Sequence, residues 1–241
     1  MAAFSPIADA ANTVFSSVSN LVASYTDLRG AREENLELRK EIDDLTERLD
    51  AASEKAIELD QLRAQLGLPR PPEYRTVAAN VISRDVSQWF KRLTIDRGSL
   101  DGISKNMPVA TATGIVGRII SVGPNYSQVQ VITDINAGVG VMLQNSRTPG
   151  ELKGTGNSFR CELRNVPATE TVPTGESIVT TGLDRIYPKG LKVGTVERVE
   201  ANPNAPWHTI IVAPSAPVDR VEHVLVLLVQ QKDLKMEEAI R

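Results

Sequence analysis

The sequence is poor in the residues that build most chemical sites. It holds one cysteine, Cys161, and two histidines, His208 and His223, among 241 residues. A single thiol excludes an internal disulfide and a thiolate metal cage, and leaves the redox compartment open. The two histidines stand in separate segments, with no carboxylates at ligand-like spacing. Charge is nearly balanced, 27 Lys and Arg against 30 Asp and Glu, for a net −3. Without a basic cluster the chain lacks the concentrated cationic face that a phosphate backbone requires, which excludes nucleic acid as a partner. No apolar run reaches the roughly 18 residues of a membrane span. The longest, Val224–Val229, has the length of a strand. The first residues also lack the basic start and unbroken apolar block of a signal peptide. Met1–Asn20, rich in Ala and Ser, reads as a juxtamembrane stretch or a weak helix start. An initiator Met set directly on such a segment is what a chain shortened at its N-terminus would show.

What is present is a heptad repeat from about Val14 to Leu66, cut off by Gly67-Leu68-Pro69-Arg70-Pro71-Pro72. With Ile42 at position a, the a sites are Val14, Leu21, Leu28, Asn35, Ile42, Leu49, Ala56 and Arg63. The d sites are Ser17, Ser24, Ala31, Leu38, Leu45, Ala52, Leu59 and Leu66. This 3,4 spacing buries a narrow seam against another helix rather than a broad face against a globule. In a parallel pair, g faces the partner's e five positions on, giving Asp27–Arg32, Glu34–Arg39, Glu41–Thr46, Arg48–Ser53 and Lys55–Asp60. Three of these attract and none repels, which favours parallel, in-register pairing. Asn35 points the same way, because two facing amides share a hydrogen bond that a slipped register leaves unpaired. The expected dimer seam is Leu28, Asn35, Leu38, Ile42, Leu45, Leu49 and Leu59. Small residues at Ala31, Ala52 and Ala56 weaken it. The alternative is a long helix lying along its own β domain.

From Tyr74 the period changes from helical to strand-like, with short Val-, Ile- and Thr-rich runs between Gly, Asn and Pro turns. About a dozen short strands with no helix between them predict a mainly β fold of barrels or a sandwich. Gly114–Val122 and Gly190–Val199 echo each other, each a strand kinked by an internal glycine as at a small barrel's corner. The echo predicts two related six-stranded barrels, one inserted into the other. The expected domains are a juxtamembrane and coiled-coil helix over 1–68 and a first barrel over 74–106 and 170–229. The inserted second barrel is expected over 107–169, and a flexible tail over 230–241.

Several segments, taken in order, resemble the bacterial rod-shape-determining MreC family. They are Trp89–Ser99, Asp101-Gly102-Ile103, Met107-Pro108-Val109, Gly114–Arg118, Ile132-Thr133-Asp134, Val179–Leu183, Ile186–Val196 and Val224–Leu227. The likeness covers about Val77 to Leu228, and the preceding coiled coil agrees with it. The resemblance implies a helix followed by two six-stranded barrels, held in the periplasm by an inner-membrane span that this sequence lacks. It also implies a non-catalytic scaffold of the cell-elongation machinery, with no cofactor. Such a scaffold self-associates into dimers or filaments. It binds a class B penicillin-binding protein, and works with MreD, RodA and MreB to organise peptidoglycan synthesis for rod shape.

Partner-binding candidates are aromatics beside turns. Tyr187 precedes Pro188-Lys189-Gly190, a solvent-type turn, which reads either as an exposed interface ring or as simple loop packing, and Trp207 ends a polar loop as either an interface anchor or a lid on the barrel end. Trp89 and Phe90 read as core plugs. Two rival functions remain open. Two barrels also suit a chymotrypsin-like serine hydrolase, but Gly156-Asn157-Ser158 and Gly175-Glu176-Ser177 lack the second glycine of a nucleophile elbow, and both histidines lie downstream. A periplasmic efflux-pump adaptor is also helical and β-rich, but it needs a returning helix that the heptads do not supply. No catalytic or metal site is expected.

Overall fold

The computed structural model describes residues 5–65, 74–86, 91–200 and 205–229, with helix side chains described over 32–62 and at 65. Trp89, Phe90, the Leu28 side chain and the expected tail at 230–241 lie outside the described residues. The chain divides into two units, Met1–Arg70 and Pro71–Arg241.

The first unit is one helix, α1, Ser5–Gln65, 61 residues long. At 1.5 Å per residue it extends about 90 Å. No proline interrupts it after its second residue, Pro6, and Arg48 pairs with Asp44 one turn back at 2.9 Å. Among the described residues, no helix is long and apolar enough to cross a membrane. In the single chain, Leu38, Ile42, Leu45 and Leu49 stand 50–69% exposed, so the seam read from the heptads is uncovered.

Among the described residues the second unit contains twelve strands and no α-helix between them, in keeping with the dozen expected. One closed barrel is formed by β1 (Thr76–Val86), β2 (Lys91–Ile95), β3 (Pro108–Ala110), β4 (Ile115–Val122), β5 (Ser127–Val131) and β12 (His223–Leu227). The other is formed by β6 (Gly138–Leu143), β7 (Pro149–Gly154), β8 (Cys161–Pro167), β9 (Ser177–Thr180), β10 (Lys192–Glu200) and β11 (Trp207–Pro214). Every ladder is antiparallel, in the orders β1-β12-β3-β4-β5-β2 and β10-β11-β8-β7-β6-β9. Alternation decides which side chains fill each barrel. Ser127, Val129 and Val131 of β5 point in and are buried, while Gln128 and Gln130 between them are partly exposed.

The second barrel is inserted between β5 and β12, but the boundaries differ from those expected. Residues 107–131, assigned from sequence to the insert, belong to the first barrel, and 170–214, assigned to the first barrel, belong to the insert. The reason is a pairing that residue periodicity does not report. β5 bonds both to its hairpin neighbour β4 and to β2, with Ile95 opposite Ser127, so the first barrel is nearly closed before the chain leaves it. The glycine echo then falls once in each barrel. A Cβ on Gly117 of β4 would overlap the Gln130 carbonyl, and one on Gly194 of β10 the Ala213 carbonyl. Both glycines let neighbouring strands close at a corner.

Two connections cross between the barrels, and each is fastened by one charged side chain. On the way out, buried Asp134 accepts from the Lys91 amide at 2.8 Å, the Asn136 amide at 2.8 Å and the Gln130 side-chain amide at 3.1 Å. On the way back, the Arg84 guanidinium donates to the carbonyls of Val218 at 2.7 Å and Val221 at 2.9 Å. A buried carboxylate such as Asp134 needs its full set of partners, and half-buried Arg84 gains charge-assisted bonds to two carbonyls. The Ile132-Thr133-Asp134 motif is thereby explained as a structural clasp.

Candidate interaction surface

Tyr187 is buried, with 2% of its surface exposed, which corrects the reading of an exposed interface ring. The loop between β9 and β10 folds inward because its own polar groups are satisfied internally. Asp184 accepts from the Ile186 amide at 3.0 Å and the Tyr187 amide at 3.1 Å, and reaches across to the Gly140 amide at 3.2 Å. The Thr180 hydroxyl donates to the Pro188 carbonyl. Burial, reinforced by the Asp184 carboxylate, pushes the phenol well above the ordinary tyrosine value. Arg118 of β4 offsets this in part, so the ring sits within the field of a first-barrel strand. Lys189 and Gly190 stay exposed, so only the tip of the Pro-Lys-Gly turn faces solvent, while Pro188 and the adjacent ring are buried.

Trp207 behaves as expected of a surface aromatic, at 50% exposed. It begins β11, opposite Pro167 of β8, at the end of the barrel remote from the two crossings. The loop beneath it is tied down by the Ala168 amide to the Pro206 carbonyl at 3.0 Å and by His208 Nε2–H to the Glu170 carbonyl at 3.1 Å. Other apolar side chains stand out that sequence reading missed. Leu100 is 78% exposed, and Tyr126, Phe159 and Leu183 are exposed as well. Leu100 and Tyr126 ride on adjoining loops, since Leu100 N–H bonds the Pro124 carbonyl at 3.2 Å and Gly123 N–H the Tyr126 carbonyl at 2.8 Å. The signal was available for Leu100, a lone apolar residue inside Gly98-Ser99-Leu100-Asp101-Gly102.

The described residues bring no hydrolytic constellation together. His223 Nδ1–H donates to Asn80 Oδ1 at 2.9 Å, Asn80 in turn donates to Asp96, and His208 is engaged with Glu170. Neither imidazole bonds Ser158 or Ser177 among the described residues. The Asn80 amides hold the Asp96 carboxyl below the usual carboxylate range, and the Arg160 guanidinium does the same for Glu197. Both are surface ion clusters. A cleft lined by Arg84, Lys91, Leu93, Ser158 and Val218 encloses about 60 Å³. Ligand pockets run to roughly 300–1,000 Å³, so this cleft holds a few waters at most.

Comparison with known proteins agrees with this fold. Residues 81–228 match the family model described as "Rod shape-determining protein MreC, barrel core". The chain is 28% identical over 215 residues to the cell shape-determining protein MreC of Listeria monocytogenes, covering 87% of this chain and 73% of that protein. The match to the Haemophilus influenzae protein of the same name, at 27% identity over 95% of this chain, spans 66% of that relative. Among solved structures, MreC of Listeria monocytogenes superposes with a TM-score of 0.72 at 27% identity, covering 80% of this chain and 95% of that one. A Helicobacter pylori MreC solved in complex with a Penicillin-Binding Protein (PBP2) shares the fold, with a TM-score of 0.52 at 14% identity over 66% of this chain and all of that one. With a family model covering more than half of its length and a helix leading into two closed barrels, the chain belongs to the MreC family of rod shape-determining proteins.

Proposed function

We propose that this chain is a non-catalytic scaffold of the cell-elongation machinery. Two copies pair in parallel through α1, and the barrels bind a class B penicillin-binding protein, organising peptidoglycan synthesis for rod shape. The observation that carries this reading is where the apolar surface lies. The barrel interiors are filled by their own side chains, while Trp207 and the helix seam are held out in solvent. Exposed aromatics on an ordered frame are what a protein interface uses. The Helicobacter pylori relative solved with its penicillin-binding protein supports the choice of partner class. The bulk of the protein works in the periplasm, tethered to the inner membrane, in the same assembly as MreD, RodA and MreB.

Calorimetric titration of the full chain with the extracytoplasmic part of its cognate class B penicillin-binding protein tests this directly. Saturable binding is expected, and its absence would remove the scaffold reading. Trp207→Ala should weaken that binding by about 2 kcal/mol, roughly 30-fold, with little change in melting temperature. Unchanged affinity would place the interface elsewhere, with Leu100, Tyr126 and Phe159 next in line.

Pairing is tested separately. Leu45→Glu combined with Leu49→Glu puts two charges per chain into the seam. The variant should sediment as a monomer while the barrels keep their thermal transition, because the uncovered seam lies in a unit distinct from them. An unchanged sedimentation coefficient, in a wild type that is dimeric, would show that α1 is not the pairing element.

A further inference from the structure

We infer that the pairing seam of α1 changes register before the helix ends, running through Leu62 in place of Arg63. This rests on the parallel pairing proposed above, and the occupant of the seam is a second copy of this chain. A strict heptad continues from Ala56 and Leu59 to Arg63 and Leu66, which puts a guanidinium on the dimer axis. The chain offers a better path one residue earlier. Leu62 is 48% exposed, as is Leu59, and α1 continues without a break to Gln65. The spacing Ala56-Leu59-Leu62-Leu66 is 3,3,4, where the heptad would give 3,4,3.

The flanking charges support the shift independently. With Leu59 and Leu62 as the a and d of the last repeat, Glu58 becomes a g residue and Arg63 the e residue facing it, five positions on. They form an interhelical pair of opposite sign, like Glu34–Arg39 earlier in the seam. In the unshifted register Arg63 occupies an axial site, where a charge is desolvated without a partner. One change of register thus swaps a buried cation for a leucine and pairs that cation at the rim.

The physical consequence is local overwinding. At 3.5 residues per turn, the one extra three-residue step leaves the seam about 50° short of a full turn, and the helices tighten to make it up. The shift places this tightening in the last two turns of α1, close to the point where each chain leaves the pair.

Disulfide trapping in the full 241-residue chain tests this. Cysteine is introduced singly at Leu45, Leu62 or Arg63, and interchain disulfide formation is followed under a glutathione redox buffer. The native Cys161 does not compete, because burial pushes its thiol up to about 12. Leu45→Cys and Leu62→Cys should cross-link at similar rates, with Arg63→Cys at least tenfold slower. If Leu45→Cys cross-links and Arg63→Cys matches or exceeds Leu62→Cys, the register shift is overturned while parallel pairing stands. If Leu45→Cys also fails to cross-link, the parallel pairing is wrong and the shift falls with it.

Discussion

Tyr187→Ala should destabilise the barrels by about 3–5 kcal/mol, the range for emptying a large buried side-chain site. In a unit of this size that corresponds to a fall in melting temperature of roughly 6–20 °C. Tyr187 is fully enclosed, and the loop that carries it is held by Asp184 and Thr180, so little local collapse is available to fill the space. Tyr187→Phe keeps the ring and should cost far less. The phenol adds a pH effect whose sign is fixed by its burial. The unfolded chain ionises near the ordinary value of 10.0, whereas the folded protein resists ionisation. Unfolding therefore releases a proton above that pH, and stability falls as pH rises past about 10. Tyr187→Phe should flatten that alkaline decline. Differential scanning calorimetry between pH 8 and 11 reads both effects. A Tyr187→Ala variant with an unshifted transition would contradict the burial.

Gly117→Ala should be at least as damaging, costing about 3 kcal/mol or more, for the opposite reason. The added methyl overlaps the Gln130 carbonyl on the adjoining strand, a backbone atom that cannot move without breaking the β4–β5 ladder. The comparison is Gly190→Ala. Gly190 has φ +89° and nothing within 4 Å of its would-be Cβ. The cost there is backbone strain alone, about 1–2 kcal/mol. Urea denaturation of the two variants should rank Gly117→Ala well below Gly190→Ala. Equal midpoints would mean that the corner at Gly117 can relax, and that close strand approach there is not what closes the first barrel.

The two glycines show what could be read in advance. The echo between Gly114–Val122 and Gly190–Val199 is a local pattern, and it correctly signalled two barrels with a kinked strand in each. The twelve strands were legible for the same reason. A period of two is imposed by the pleat of each strand separately, whatever that strand later pairs with. The α1 heptads are equally local, since side chains three and four apart share a helix face in any surroundings.

Burial at a turn was not legible in this way. Pro188-Lys189-Gly190 did mark a turn whose tip, Lys189 and Gly190, faces solvent, yet Pro188 and the ring before it are buried. Its direction was settled by Asp184 reaching Gly140 on another strand, a contact spanning 44 residues. Trp207, which the sequence left as either an interface anchor or a barrel lid, opens β11 at a barrel end with its ring half-exposed. Leu100 passed unnoticed because a lone leucine in a polar loop carries no periodicity to betray its role.

By itself, then, the sequence determined the helix and its heptad spacing, the dozen strands among the described residues and the absence of a clustered catalytic or nucleic-acid-binding signature. All of these follow from spacing and composition along the chain. Only the tertiary structure decided which strands share a barrel, where the insertion begins, and which aromatic faces solvent. Those outcomes depend on long-range pairings such as Ile95 opposite Ser127 in the β2–β5 ladder and the hydrogen bonds of Lys91 with Asp134 and Arg84 with Val218, which join residues 32, 43 and 134 positions apart. Chain entropy opposes such closures, and only the completed barrel, with all its ladders formed at once, compensates for it.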